Sequence, residues 1–517
     1  MSLSFASSRP RPTIRPSSRS GRAWLVTAFA FLALLFGAIA GLFGGIPAVF
    51  LLVLILPLIL TLRDYRVGVV ALTILLPWAT SPLLPHGGGL SVANISAAVC
   101  TLSFAIHVGL ARRQMVPLPR IVVWCFIVPL SYGLALALPH LREAGVSIGG
   151  EDIGQYELAR FVKGRYLDAL IYVLYAYLLA NAVRESKRPE RWLIVLGISA
   201  VLPVAAVFGI IALYRVSLSE LQAMRSFLAP LGYHANSIAW LLVSLIGPLL
   251  FVTAAVRGWA RFAAAIVTAG VTMALLLTFS RGGFLALLAV LVVFAVQRKR
   301  VLALLAVVSV VAAGLLAVPA VQQRLLTGFE SDALGRATSH SALKGDPLTA
   351  GRLAFWPLLA REVVRSPIWG RGLGSTAWSE PARKGIYTAN HPHNLALAIA
   401  MDLGLLGFAL MAYLFYRIAK CYARLAREPS LSASMRAFFG GALASMVGCL
   451  VMGQTTGGLY EPLPEQTFLW FSVGMAMCWW QLGQPQPAAG GVAKRPWAFG
   501  IRPMPQQSVA PGHLGMR

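Results

Sequence analysis

The sequence predicts an all-α polytopic membrane protein with 12–14 transmembrane helices and a large, partly helical periplasmic loop. Its 517 residues are 58% hydrophobic and only 12% charged, whereas about 25% of the residues in a soluble domain are charged. The apolar residues form blocks of roughly 16–23 residues, which is long enough for a helix to cross a ~30 Å hydrocarbon core. Each block is expected to be helical because the hydrocarbon core offers the backbone no other hydrogen-bonding partners.

Fourteen blocks are candidate spans, and the count falls to twelve if the first hairpin or the short segment 283–297 does not cross fully. The first block is too long for a signal-peptide core and a second follows at once, which favours an uncleaved first helix. The predicted spans are 24–43, 46–62, 67–84, 92–110, 121–138, 166–183, 192–214, 237–256, 262–279, 283–297, 301–319, 395–416, 437–456 and 467–483.

The spans divide the chain into five parts. A disordered basic cytoplasmic tail is expected at 1–22 and helices 1–11 at 23–319. A large periplasmic loop follows at 320–394, then helices 12–14 at 395–483 and a disordered cytoplasmic tail at 484–517. Loops this long are usually functional. The loop contains GRLAFWPLLAREVV, a helical pattern with Leu353, Trp356, Leu359 and Val363 on one side, and the prolines and glycines of SPIWGRGLGS then end that helix.

The distribution of charge orients the chain in the membrane. If the N-terminus is cytoplasmic, the cytoplasmic segments hold 28 of the 44 Lys and Arg residues but only 4 of the 18 acids. Basic residues in short loops stay on the cytoplasmic side, so both termini are predicted to be cytoplasmic in a bacterial inner membrane. The cytoplasmic segments thus carry +24 of the net charge of +26, and this charge faces the anionic leaflet of the bilayer, so a nucleic-acid partner is not expected.

Four polar sets fall on the predicted periplasmic face, and ionisable groups at a membrane boundary favour a function. Snorkelling cations, helix-end anchors and helix caps are the structural alternatives for these sets. The sets are the mouth of the sixth span, the turn TFSRGG, the start of the eighth span, and the end of the long loop. Their members are Arg160, Lys163 and Arg165; Arg281; Arg225, His234 and Asn236; and His391, His393 and Asn394.

These residue types suit anion binding and proton transfer. Arg grips phosphate through two parallel hydrogen bonds, and an imidazole with a pKa near neutrality accepts a proton from an attacking hydroxyl. The five cysteines form no CxxC pair, and no HExxH is present. The sequence therefore predicts neither a disulfide framework nor a metal site, and no cofactor.

The order of motifs TFSRGG, GRLAFW, SPIWGRGLGS and HN, followed by an acid and GLLG, resembles the O-antigen ligase and polymerase superfamily. The resemblance covers about residues 278–410 and extends upstream to the segment from Arg225 to Asn236. It implies periplasmic glycosyl transfer from an undecaprenyl-pyrophosphate-linked glycan, without nucleotide sugar or an obligatory metal. His393 takes the place of the family's loop histidine, and Arg281 and Arg352 match its arginines. The second imidazole, His391, is a departure.

The resemblance is strongest to O-antigen ligase, whose acceptor is lipid A-core oligosaccharide in lipopolysaccharide assembly. His393 is then the base and Arg281 a catalytic cation. The substrate-binding residues are Arg160, Lys163, Arg165, Arg225, Asn236, Arg352, His391 and Asn394. The alternatives are an O-antigen or exopolysaccharide polymerase and a protein O-oligosaccharyltransferase, although the short C-terminal tail leans against the latter. A polysaccharide or ion transporter is a remote alternative, because transporters place polar residues at the midplane rather than at one interface.

Overall fold

The computed structural model describes residues 57–82, 86–87, 90–111, 115–142, 158–215, 228–299, 352–384, 386, 391–456 and 464–480. The secondary structure in these ranges is helical apart from one antiparallel pair of two-residue strands, β1 (His86–Gly87) and β2 (Leu90–Ser91), in which His86 pairs with Ser91. The predicted spans 24–43 and 301–319, most of 46–62, and both predicted tails lie outside the described residues.

Thirteen helices carry the labels used below, and α3 and α4 each contain a π-helical turn. They are α1 (Tyr65–Leu75), α2 (Val92–Ala111), α3 (Arg120–Val122, Val123–Ile127 and Val128–Arg142), α4 (Leu158–Val162, Lys163–Leu167 and Asp168–Glu185), α5 (Arg191–Tyr214), α6 (Ala235–Ala255), α7 (Gly258–Leu277), α8 (Arg281–Arg298), α9 (Arg352–Arg365), α10 (Glu380–Arg383), α11 (Leu395–Leu425), α12 (Ala433–Thr456) and α13 (Thr467–Cys478).

Nine helices in the described part of the chain are long and apolar enough to cross a membrane: α2 to α8, α11 and α12. Each matches a predicted span to within a few residues, with two exceptions. Helix α4 begins eight residues before the predicted start at 166, and α11 continues nine residues beyond the predicted end at 416. Two shorter apolar helices, Tyr65–Trp78 and Thr467–Cys478, stand where spans 67–84 and 467–483 were predicted. The protein is therefore an all-α multi-pass membrane protein.

Small residues allow α6 and α12 to pack unusually closely. A Cβ atom on Gly247 would collide with the carbonyl oxygen of Gly441, and one on Gly441 would collide with that of Gly247. Between them Ser445 donates its hydroxyl to the carbonyl oxygen of Val243 at 2.7 Å and accepts the Gly247 N–H at 3.0 Å. Because lipid replaces water around these helices, such close packing and internal hydrogen bonding hold them together.

Helix α11 is broken near its first third. Gly404 has φ 66° and ψ −172°, a left-handed φ that only glycine adopts without strain. The 31 residues of α11 would make a straight helix of about 46 Å, which exceeds the ~30 Å hydrocarbon core. At the far end Arg417 donates to the Tyr413 hydroxyl at 2.7 Å and Lys420 to the Tyr416 hydroxyl at 3.0 Å, a pairing of aromatics and cations typical of a membrane interface.

The close packing of α6 and α12 predicts the effect of adding a methyl group there. We expect Gly441→Ala to lower the free energy of unfolding by about 1–3 kcal/mol, because the added Cβ forces the helices apart. Thermal unfolding of the purified protein in detergent measures this. Gly197→Ala in α5 is the matched control, since a Cβ there meets nothing within 4 Å. Equal unfolding temperatures for the two variants would contradict the packing argument.

Candidate active site

The polar sets predicted from the sequence lie at one end of the helix bundle. Helices α6, α8 and α11 begin there and α12 ends there. A Cβ on Gly282, at the start of α8, would collide with Thr455 of α12. Two residues earlier in α12, a Cβ on Gly453 would lie 3.1 Å from Leu395 Cδ2 at the start of α11. The end of α12 therefore brings the Arg281 region and the His393 region to the same level of the bundle.

A serine joins α6 to α8. Ser280 is the N-cap of α8 and its Oγ accepts the Gly283 N–H at 3.2 Å. The same hydroxyl donates to Asn236 Oδ1 in the first turn of α6 at 2.9 Å. Arg281 is the first residue of α8, and its side chain is half-buried. The guanidinium thus lies at the positive end of a helix dipole, where a negative charge is stabilised.

The segment His391–Asn394 forms a tight turn before α11. His393 has φ 52°, an uncommon left-handed conformation for a residue other than glycine. Its backbone N–H donates to His391 Nδ1 at 3.3 Å, and the two imidazole rings lie edge to face with centroids 4.0 Å apart. Asn394 caps α11, because its Oδ1 accepts the Leu397 N–H at 2.9 Å. The turn holds both imidazoles beside the start of α11.

Helix α9 holds this turn against the bundle. Its apolar side packs Leu359 against Met401 of α11, with Phe355 and Val363 on either side. Trp356 donates its indole N–H to the carbonyl oxygen of Pro392 at 2.9 Å. The amphipathic helix predicted in the long loop is therefore confirmed, with Trp356 serving as a hydrogen-bond donor to the histidine turn rather than as a purely apolar contact.

The loop after α9 reaches the other basic set. Lys163 and Arg165 lie in the π-helical turn of α4, and both are half-buried. One turn earlier, Phe161 lies against Trp378 of the loop, with ring centroids 6.3 Å apart. Trp378 also stacks on His140 of α3 at 5.2 Å. The long loop thus spans from the histidine turn to the basic mouth of α4.

Asp402 fastens the loop to α11. It is buried, and Oδ2 accepts the Gly374 N–H at 2.9 Å, while Oδ1 accepts the Ser375 N–H at 2.9 Å and the Ser375 hydroxyl at 2.6 Å. A buried carboxylate is costly unless such donors surround it. These three bonds draw residues 374 and 375 onto the kink at Gly404.

Three loop glycines permit the close approach. Gly370, Gly372 and Gly374 all have φ between 75° and 89°. A Cβ on Gly370 would collide with the backbone of Asp402, and one on Gly372 with the backbone of Ala137 in α3. Residues 366–375, whose motif SPIWGRGLGS was predicted to end a helix, therefore form a wedge of backbone between α3 and α11.

An ionic network stiffens the loop from inside. Glu362, buried in α9, pairs with Arg365 at 2.6 Å and with Arg371, and Arg365 also pairs with Glu380. Hydrogen bonds from Lys384 and Arg365 lower the pKa of Glu380 to about 2. Partial burial and the neighbouring Arg383 lower the pKa of Arg371. Cations exceed acids in this network, so the loop adds positive charge to this end of the bundle.

The structure places most of the predicted site residues at one end of the bundle. Arg225 lies outside the described residues. Arg160 and Arg352 lie on α4 and at the start of α9, but their side chains are outside the described set. Over the described ranges, no three His, Cys, Asp or Glu side chains are grouped so as to hold a metal ion.

Sequence reasoning missed one acidic residue here. Glu465 is 4% exposed and lies in the turn Pro464–Gln466, which packs on the start of α6 and leads into α13. Its carboxylate acts electrostatically on Tyr172 of α4 and Tyr233 before α6. A lone acid at the beginning of a predicted span was the available signal.

The three hydrogen bonds of Asp402 predict a specific loss on substitution. In Asp402→Asn one acceptor becomes an amide donor facing an N–H, so we expect a loss of about 1–3 kcal/mol of stability and faster protease cleavage between residues 366 and 380. Thermal unfolding and limited proteolysis measure these effects. Glu428→Gln, at an exposed carboxylate beyond α11, is the matched control and should change neither. Wild-type cleavage of Asp402→Asn would contradict this role.

The stretch of chain that contains α8 and the histidine turn is similar to known proteins. Residues 262–412 match the family model described as O-Antigen ligase. A protein named "Putative polysaccharide ligase" from Rickettsia conorii is 27% identical over 118 residues, which are 21% of this chain and 29% of that protein. Its namesake in Rickettsia prowazekii is 32% identical over 91 residues, which are 16% of this chain and 22% of that protein.

The aligned segments thus span less than a third of these relatives. The family match includes Arg281, Arg352, His391, His393 and Asn394, the residues on which the resemblance depended. The resemblance predicted from the sequence is confirmed, because residues 262–412 of this membrane protein match the O-antigen ligase family model.

Proposed function

We propose that the protein is an O-antigen ligase that transfers a glycan from undecaprenyl pyrophosphate to lipid A-core oligosaccharide, without a metal ion. The observation that carries the proposal is that His393 and Arg281 lie at the same end of the bundle, where the starts of α8 and α11 both contact the end of α12. Both residues lie in the stretch that matches the O-antigen ligase family. Lys163 and Arg165 lie at the far edge of the loop that carries the histidine turn.

The donor's pyrophosphate lies among cations and helix N-termini in this proposal. Arg281 stands at the start of α8, beside Asn236 at the start of α6. Arg160, Lys163, Arg165, Arg225 and Arg352 complete the proposed phosphate-binding set. When the anomeric carbon–oxygen bond breaks, the electron pair stays on the pyrophosphate oxygen. Preplaced guanidinium groups stabilise that developing charge, so no separate general acid is needed.

His393 acts as the general base. It removes the proton from an acceptor hydroxyl, whose oxygen forms a bond to the anomeric carbon on the face opposite the leaving group, and the sugar configuration inverts. The left-handed backbone at His393, the His391 contact and the Asn394 cap hold the imidazole in one place. His391 and Asn394 are proposed to contact the substrate at the same turn.

The site faces the periplasm of a Gram-negative cell in this proposal, with both termini in the cytoplasm. The described cations Arg257, Arg298, Lys299, Arg417 and Lys420 lie at helix ends opposite the site, which supports that orientation. A polymerase of O-antigen or exopolysaccharide is the second candidate, because it would use the same donor and the same base.

Substitution of His393 tests the mechanism. We expect His393→Asn to lower turnover by about 10²–10⁴-fold in proteoliposomes supplied with lipid-pyrophosphate glycan and lipid A-core, because the base is lost. Asn tolerates the left-handed backbone of this position, so the fold should be retained. His107→Asn, at the opposite end of the bundle, is the matched control and should turn over normally.

Because two histidines lie in this turn, the comparison of His393→Asn with His391→Asn identifies which of them is the general base. Loss of turnover in His391→Asn together with wild-type turnover in His393→Asn would move the base to His391. Wild-type turnover in both variants would remove the histidine turn from the mechanism.

Deletion of the gene separates the two candidate functions. We expect long glycan chains to accumulate on the isoprenoid carrier, because the ligase acts after the chain is complete. Extracted lipid-linked glycans, resolved by size, measure this. Accumulation of single repeat units would show a polymerase instead, and the wild-type gene supplied in trans is the control.

A further inference from the structure

We propose that the segment from Val364 to Trp369, in the middle of the long loop, re-enters the membrane and contacts lipid acyl chains. The inference rests on the geometry of α3, α9 and α11 and does not depend on the proposed function. A polar loop between spans would ordinarily be expected to remain in water, so this position changes how the site reaches the bilayer.

The segment is joined to α11 through the backbone. Leu405 donates its N–H to the Pro367 carbonyl at 2.8 Å, and Leu406 donates to that of Ile368 at 3.2 Å. Arg371 and Gly372 return hydrogen bonds to the carbonyls of Met401 and Asp402 at 2.8 and 2.9 Å. These pairings place the segment beside residues 401–406 of α11.

Hydrogen bonds to α3 place the loop segment at the same level of the bundle. Tyr132 donates its hydroxyl to the Leu403 carbonyl at 2.6 Å, and Leu373 donates its N–H to the Gly133 carbonyl at 2.9 Å. The wedge therefore contacts α3 at residues 132–137, in the second half of that span. Two helices thus report the position of the loop independently.

The rise of an α-helix, about 1.5 Å per residue, gives the depth of these contacts in the membrane. From Leu403 to Arg417 is about 21 Å of helix, and from Arg120 to Gly133 is about 20 Å. From Leu395, at the level of the candidate site, to Leu403 is about 12 Å. Since the hydrocarbon core is ~30 Å thick, the segment lies roughly 10 Å below the boundary on the site side.

The outward face of the segment is apolar apart from Arg365, whose charge is paired with Glu362 and Glu380. Val364 is 76% exposed, Ile368 57% and Trp369 56%, and Leu405 beside them on α11 is 56% exposed. Trp369 lies edge to face with Tyr132, with centroids 6.3 Å apart. The exposed patch is therefore continuous with the lipid-facing surface of the spans, where exposed apolar side chains are expected.

The carboxylates of the wedge point inward, and the exposed Arg365 side chain is paired with Glu362 and Glu380. Asp402 and Glu362 are buried, and the carboxylates are satisfied by the loop backbone, Arg365 and Arg371. Non-helical backbone at membrane depth persists only where the protein supplies its hydrogen bonds, and the broken helix α11 does so here. The carbonyls released at Gly404 are taken by the loop, and the loop's carbonyls by α11.

Cysteine labelling in proteoliposomes tests the immersion. The full chain is labelled with a nitrobenzoxadiazole probe at Val364→Cys or Ile368→Cys, in vesicles of phosphatidylcholine with or without brominated acyl chains. Both side chains are exposed, so the substitutions leave the core intact. We expect acyl-chain bromine to quench both probes at least about twofold more strongly than aqueous iodide does.

Two control positions define the scale. Leu102→Cys, an exposed residue in the middle of α2, reports a lipid-facing site, and Ser432→Cys, between α11 and α12, reports water. The unsubstituted protein gives the background from its five native cysteines. Probes at 364 and 368 that follow Leu102→Cys support the proposal. Probes that follow Ser432→Cys, quenched by iodide and not by bromine, overturn it.

Discussion

The arrangement at the candidate site depends on one buried carboxylate. Asp402 accepts three hydrogen bonds from Gly374 and Ser375, which lie 28 and 27 residues earlier in the chain. Without those donors the carboxylate would be an unpaired charge in an apolar bundle, and without the carboxylate the loop would lose its attachment to α11. The same residue thus stabilises the kink in a spanning helix and positions the loop that leads to the histidine turn.

Backbone groups at the kink of α11 and in the loop form hydrogen bonds with each other. A helix broken by a left-handed glycine exposes carbonyl and amide groups that lipid cannot bind. The loop offers complementary groups at the same level, and its three glycines let the two backbones approach without side chains between them. Neither element would be stable alone at this depth, so the loop and α11 are expected to form together during folding.

The spans could be predicted from the sequence because each is a long apolar run, and nine of them are helices at the predicted places in the described part of the chain. The helix in the long loop was predicted from its apolar side, and Leu359 does pack against α11. The hydrogen bonds of Asp402 could not be predicted, because its partners are distant in sequence. The burial of Glu362 and Glu465 depends on tertiary packing, which the sequence does not show. Asn394 was assigned to substrate, and the structure shows that its side chain also caps α11.

The tyrosine–cation pairs at the far end of α11 have a consequence for the histidine turn. Tyr413 and Tyr416, bound to Arg417 and Lys420, anchor the helix at one water boundary, and His393 precedes its other end. The length of α11 therefore sets the distance between this anchor and the His393 imidazole. One inserted residue would raise the histidine by about 1.5 Å and rotate it by about 100°. The length of α11 must therefore match the thickness of the bilayer.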